Sequence, residues 1–143
     1  MNHFKIKAID KEKMAIFLKE NEYVGRIPQK MLCFGCYDGE ELVGVVGLYK
    51  IAWYMTEIRR VCVKKDRRRN GFGKFIISEI MKVVETPVIA ATVVSENTPS
   101  LRAFSANGFR TVTSFMNPET GHSVLLLIRN HPVLEVANGI HSA

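Results

Sequence analysis

Apolar and polar residues alternate at the start of the chain. Phe4, Ile6 and Ala8 face one way and Lys5 and Lys7 the other, the period-two pattern of a strand over residues 3–9. Asp10 follows as a helix cap, and Met14, Phe17 and Leu18 recur at the spacing that gathers them on one helical face. Residues 21–30 lose periodicity, and Gly25 and Pro28 within them mark an irregular connection. Residues 31–37 and 42–50 read as strands joined at Asp38-Gly39, a hairpin signal, and a third strand over 52–63 completes an antiparallel meander. From Gly73 the pattern turns helical. Ile76, Ile77, Ile80, Met81 and Val84 share a face, and Pro87 lies just beyond. Val88 to Val94 is almost continuously apolar, as in a strand covered on both faces. Asn97 or Thr98 caps another helix with Pro99 in its first turn, and Asn107-Gly108 stops it. Strands over 109–115 and 123–129 flank a turn at residues 117–121, and the chain from 130 onward loses its period. The predicted order is β-α-βββ-α-β-α-ββ in one unit over residues 1–130, with 131–143 a loose tail or a contact to another subunit. This is an α/β (α+β) fold whose mixed, mostly antiparallel sheet of six to seven strands is flanked by helices.

Composition changes this picture little. A chain of 143 residues with 47% hydrophobic content suits one domain with one core rather than a disordered segment. The stretch from Met1 to Met14 lacks the apolar run of a secretory signal, and the longest such run, Val124 to Ile128, is far too short to cross a bilayer. Three cysteines, an odd number, fit a reducing, cytoplasmic setting and no membrane partner. The formal charge of +6 is uneven: Arg59, Arg60, Lys64, Lys65, Arg67, Arg68, Arg69 and Lys74 crowd one stretch. Such a field attracts a polyanionic small molecule, and nucleic-acid-binding chains show the same bias. Here the nearby aromatics, Trp53 and Tyr54, precede the cluster instead of interleaving with it, so nucleic acid is the lesser reading.

The same stretch holds the most specific chemistry. An apolar strand ending at Val63 runs into a basic loop, the loop closes on Gly71-Phe72-Gly73, and a helix begins. A glycine turn feeding a helix N-terminus gathers unpaired backbone N–H groups around one point, where the helix dipole adds partial positive charge. The segment reads as a pyrophosphate cradle. It is not a Walker loop, because Phe75 follows Lys74; nor is it a dinucleotide fingerprint, because Ile76 stands where a third glycine belongs. What remains, Arg68-x-x-Gly71-x-Gly73 after an apolar strand, resembles motif A of the GNAT superfamily of acyl-CoA-dependent N-acyltransferases. Downstream, VVSENTPSLRAFSANGF over residues 93–109 resembles that family's motif B, with Asn97, Ser100, Phe104, Gly108 and Phe109 on its positions in order. The resemblance covers residues 57–109 and implies the GNAT fold, with acetyl-CoA as cosubstrate and no metal. It implies that Arg68, Arg69, Asn70, Gly71, Phe72, Gly73 and Lys74 surround the pyrophosphate. Val61, Cys62 and Val63 would line the pantetheine arm, Asn97 and Ser100 would lie beside it, and Phe104 would pack near the thioester.

Acyl transfer to an amine needs a group to take a proton from the attacking ammonium and a means of stabilising the departing thiolate. Glu57 is the candidate for the first, because EIRRVCV resembles the strand that carries the general-base glutamate in the histone acetyltransferase branch. In an unbulged strand Glu57, Arg59, Val61 and Val63 share one face. The bland reading is that Glu57 pairs with Arg59 or a cross-strand lysine. For the thiolate, many family members carry a Tyr where this chain has Phe104, and Phe has no proton to give. Backbone donors and solvent, or Tyr54, Ser100 or Ser105, are left for that task. The acceptor is not legible, since residues 21–32 and the last two strands, which shape its site in this fold, show no diagnostic pattern. A polyamine, an aminoglycoside, a protein N-terminus and a lysine side chain stay open. The resulting expectation is acetyl transfer to a primary amine in a ternary complex, with a homodimer as the expected assembly if copies associate. A catalytically silent CoA-binding or nucleic-acid-associated module of the same fold is the alternative.

Other signals carry less. Cys33 and Cys36 have C-x-x-C spacing without a second pair, and an extended strand points them to opposite faces. His3, His122, His131 and His141 show no metal-ligand spacing. Cys62, apolar in its surroundings, reads as core before nucleophile.

Overall fold

The computed structural model describes residues 3–23 and 25–131; of the predicted tail over 131–143, all but His131 lies outside them. Strand β1 (Phe4–Ala8) leads into helix α1 (Lys11–Glu20), where Asp10 accepts the Lys13 N–H at 2.7 Å as N-cap. Strands β2 (Leu32–Asp38), β3 (Glu41–Ala52) and β4 (Met55–Val63) form the meander. A short 3-10 turn over Lys65–Arg67 precedes α2 (Phe72–Met81). Then come β5 (Val88–Val94), α3 (Thr98–Ala106), β6 (Arg110–Met116) and β7 (Ser123–Asn130). All seven strands form one sheet in the order β1-β2-β3-β4-β5-β7-β6. Every neighbour is antiparallel except β4 and β5.

The helices cover the sheet unequally. Helix α1 packs Met14, Phe17 and Leu18 onto Met31, Cys33, Val45 and Cys62 on one face. On the other face, Ile76, Ile77 and Ile80 of α2 and Phe104 of α3 pack onto Val46, Ile58, Ile89 and Leu127. Each fully buried aliphatic side chain contributes about 1.5–3 kcal/mol, so these two stripes hold the layers together. The first face is covered only over its β2–β4 half. Thr92 and Val94 of β5 are exposed there, so the expectation of a strand buried on both sides is corrected. The apolar run of β5 buries Ile89, Ala91 and Val93 under the helices, and on the other face only Ala90 is enclosed. Helix α2 is also shorter than its periodicity suggests. It ends at Met81, and Val84 reaches the same core from the following turn.

Two irregularities matter for function. Strands β4 and β5 pair only through Met55–Val88, Thr56–Ile89 and Glu57–Ala90. Beyond Glu57 they part and leave a wedge. Strand β4 also carries a bulge, because Val45 to Gly47 on β3 is matched by Cys62 to Arg59 on β4. Arg60, in the middle, has a φ of 59°, a left-handed conformation rare for a side-chain-bearing residue. The extra residue reverses the alternation. Glu57 and Arg59 stay on the α1 face, Cys62 turns into the α1 core, and Val61 and Val63 turn to the α2 side. The expected common face for Glu57, Arg59, Val61 and Val63 therefore does not exist.

Candidate active site

Helix α2 begins without a side-chain cap, at Gly71, whose φ of 77° is left-handed. Glycine takes that conformation without the Cβ penalty, and the turn aims the first amides of α2 outward. By helix geometry the N–H groups of Phe72, Gly73 and Lys74 have no intrahelical acceptor. Arg69, two residues before Gly71, is also left-handed, with φ 70°. A left-handed residue beside an uncapped helix start curls successive amides into a concave, anion-binding nest.

This nest opens into a cleft of about 760 Å³ between the end of β4, the start of α2, and α3. Val61, Cys62 and Val63 form its strand wall, and Arg68, Arg69, Gly71, Phe72, Gly73 and Lys74 form its rim and floor. Asn97 and Ser100 close it from α3. Asn97 accepts the Ser100 N–H at 3.3 Å through its side chain, and so is the cap of α3. Two expected members are placed elsewhere. Asn70 is exposed and off the cleft wall, while Phe104 is buried edge-on to Phe109, ring centroids 5.0 Å apart. Glu57 does not line the cleft either. It stands on the opposite sheet face at the point where β4 and β5 part.

Half of the basic cluster is neutralised from within. Arg67 pairs with Asp38 at 3.0 Å and Glu41 at 2.6 Å, Lys64 pairs with Glu41, and Lys65 pairs with Glu22. The Lys64 ammonium, hydrogen-bonded to Glu41, holds that carboxyl below the usual range, and Lys65 does the same to Glu22. Arg68 donates from Nε to the Val63 carbonyl and from Nη2 to the Asn21 carbonyl, each at 3.0 Å. It thus ties the cradle to the turn after α1. Asn21 answers by accepting the Lys65 N–H at 2.9 Å. Among the described residues lining the cleft, three cations make no side-chain hydrogen bond or ion pair at all: Arg69, Lys74 and Arg102. Arg102 was not foreseen. Its only sequence signal is a position in α3 one turn after Thr98, meaningful once α3 is known to border the cradle. The turn residue Tyr23 and the small Ala103 and Ala106, which leave space along α3, were likewise unmarked.

On the other face, the Glu57 carboxylate accepts a hydrogen bond from the Thr92 hydroxyl at 3.3 Å across the wedge. Arg59 approaches it at 3.6 Å and lies over the Tyr49 ring. Burial pushes the Cys62 thiol up, outweighing the nearby Arg68, so it is a core residue and a poor nucleophile. Cys33 and Cys36 fall in the two separate cores.

The sequence from residue 5 to 109 matches the family model described as the acetyltransferase (GNAT) family. The chain belongs to that family. It is accordingly an acetyl-CoA-dependent N-acetyltransferase. The fold of this GNAT chain is shared with solved structures at low identity. A GNAT acetyltransferase from Elizabethkingia anophelis with acetyl-CoA bound superposes with a TM-score of 0.71 at 15% identity, covering 91% of this chain and 99% of that one. The dodecameric spermidine N-acetyltransferase from Vibrio cholerae gives 0.76 at 12%, with 92% and 95% covered. The ribosomal-protein-S18-alanine N-acetyltransferase from Escherichia coli gives 0.71 at 10%, with 89% and 93% covered. No curated protein matches the sequence. No helix among the described residues is long and apolar enough to cross a membrane.

Proposed function

We propose that this acetyltransferase joins acetyl-CoA and a primary amine in one ternary complex, with Glu57 as general base. The observation that carries the assignment is the place of Glu57: last pair of the β4–β5 seam, on the face away from the cofactor cleft. A thioester reaching through the wedge from the cleft would meet an amine arriving from the Glu57 side. The α2 amides of Phe72 to Lys74, the free Nη1 of Arg68, and the cations Arg69, Lys74 and Arg102 fit a pyrophosphate. Val61 and Val63 flank the pantetheine path, and the Asn97 and Ser100 side chains border it. Thr92 and Arg59 orient the Glu57 carboxylate, which accepts the ammonium proton directly or through water. Phe104 backs this site from the core without touching the cleft, so the thiolate is left to backbone donors, solvent or the cleft-lining Ser100. Three buried, unbridged thiols fit a reducing, cytoplasmic setting.

Glu57→Gln is the test, because it keeps size and hydrogen bonding while removing the proton acceptor. The expected result is a kcat lower by about a hundredfold or more, with acetyl-CoA affinity retained. The rise of rate with pH seen for the parent should be absent in the variant. Equal rates and superimposable pH profiles would reduce Glu57 to a partner of Arg59.

A further inference from the structure

The half of the sheet that α1 leaves bare can be mapped row by row from the strand register. Tyr49, Glu57, Ala90, Ile128 and Arg110 form one row across β3, β4, β5, β7 and β6. Arg59 heads the next row on β4, and beyond the wedge that row continues as Thr92, Leu126 and Thr113. Val94, Val124 and Phe115 form the third. Paired residues project to the same side of a sheet, so these rows are one surface with Glu57 at its margin. Thr92, Val94, Thr113 and Phe115 are exposed on it, and Leu126 and Ile128 are partly exposed between them. Among the described strand positions of this surface Glu57 is the sole carboxylate, set against Arg59 and Arg110.

We infer that the acceptor is a small monoamine on an apolar body, of arylalkyl type, and not a polyamine or aminoglycoside. This rests on the function proposed above, since it takes the amine to arrive beside Glu57. A polyamine carries a further positive charge on each remaining nitrogen. Each would lie over Leu126 and Ile128 without a carboxylate to meet it and with Arg59 or Arg110 repelling it. An arylalkylamine places its single charge at Glu57. Its ring lies over Ile128 and Leu126, where apolar contact favours it.

The experiment compares 2-phenylethylamine with spermidine as acceptors for the full chain, following thiol release, with acetyl-CoA binding measured separately by calorimetry. The expected kcat/KM for 2-phenylethylamine exceeds that for spermidine by roughly tenfold or more. Ile128→Ala should raise the KM for 2-phenylethylamine several-fold and leave the KM for acetyl-CoA unchanged. Leu126→Glu should lower the preference ratio or invert it. Spermidine turned over as well as 2-phenylethylamine would overturn the inference, as would a preference unmoved by both substitutions or turnover of neither amine while acetyl-CoA binds. Failure of acetyl-CoA to bind at all would instead sink the underlying cofactor assignment, and the inference with it.

Discussion

Phe104 stands where a proton donor is common in the family, yet it is 3% exposed and packed on Phe109. Its contribution is therefore to the core. Phe104→Ala should lower unfolding free energy by about 3–5 kcal/mol, read from denaturant melts, because the cavity beside Phe109 can collapse only partly. Cys36 offers a second residue-scale test. It is fully buried, and burial pushes its thiol up to about 11, with Asp38 and Glu79 adding to the rise. Its folded-state pKa lies above its unfolded one, so the folded chain holds the proton longer. Stability from this group is present below the ordinary thiol range and is lost as pH rises toward 11. Denaturant midpoints should fall over that alkaline window, and Cys36→Ala should flatten the fall. Residue identities such as Asn97 and Gly71 were legible in the sequence because each does a local job, capping or turning. Arg67 was not. Its basic surroundings suggest a phosphate ligand, whereas Asp38 and Glu41, contributed by the β2–β3 hairpin, claim it.

Among the described residues, periodicity together with cap and turn signals located the three helices and seven strands to within a few residues, although β6 is exposed along its whole length. The bulge at Arg60 left no such trace. Val61-Cys62-Val63 is apolar on both faces, so a shift by one residue leaves its hydrophobic pattern unchanged. What selects the bulged register is tertiary: the Arg60 guanidinium donates to the Arg26 carbonyl in the loop after α1. That loop is pinned again at Met31, which occupies the space where a side chain on Gly47 would stand. The α2 terminus is the element on which cofactor binding turns. Gly71→Glu puts a Cβ on a left-handed residue and a negative charge at the nest. It should abolish CoA binding in calorimetry with the circular dichroism spectrum retained. Unchanged affinity would remove the nest from the coenzyme site.

For the whole molecule, the wedge has a further meaning. A seven-stranded sheet normally has two edges; this one has four, because β4 beyond Glu57 and β5 beyond Ala90 face each other without pairing. Unpaired strand edges present rows of backbone donors and acceptors, a template that another extended, amide-bearing chain can complete. The pantetheine arm is such a chain. On the proposed placement of the arm, coenzyme A would be a structural member as well as a reactant, an eighth strand that the polypeptide does not encode. At a hundredfold excess over Kd, a ligand that binds only the folded chain adds about 2.7 kcal/mol. For a domain of this size that amounts to a Tm rise of roughly 5–10 °C. Adenosine 3′,5′-bisphosphate, which reaches the nest but carries no arm, should raise Tm by clearly less at matched occupancy. Amide exchange along Val61–Val63 and Thr92–Val94 should slow with CoA and not with the nucleotide. A fold closed by its own cosubstrate would spend its unliganded time with two strand edges ajar, so its resistance to proteolysis and aggregation in the cell would track the supply of acetyl-CoA.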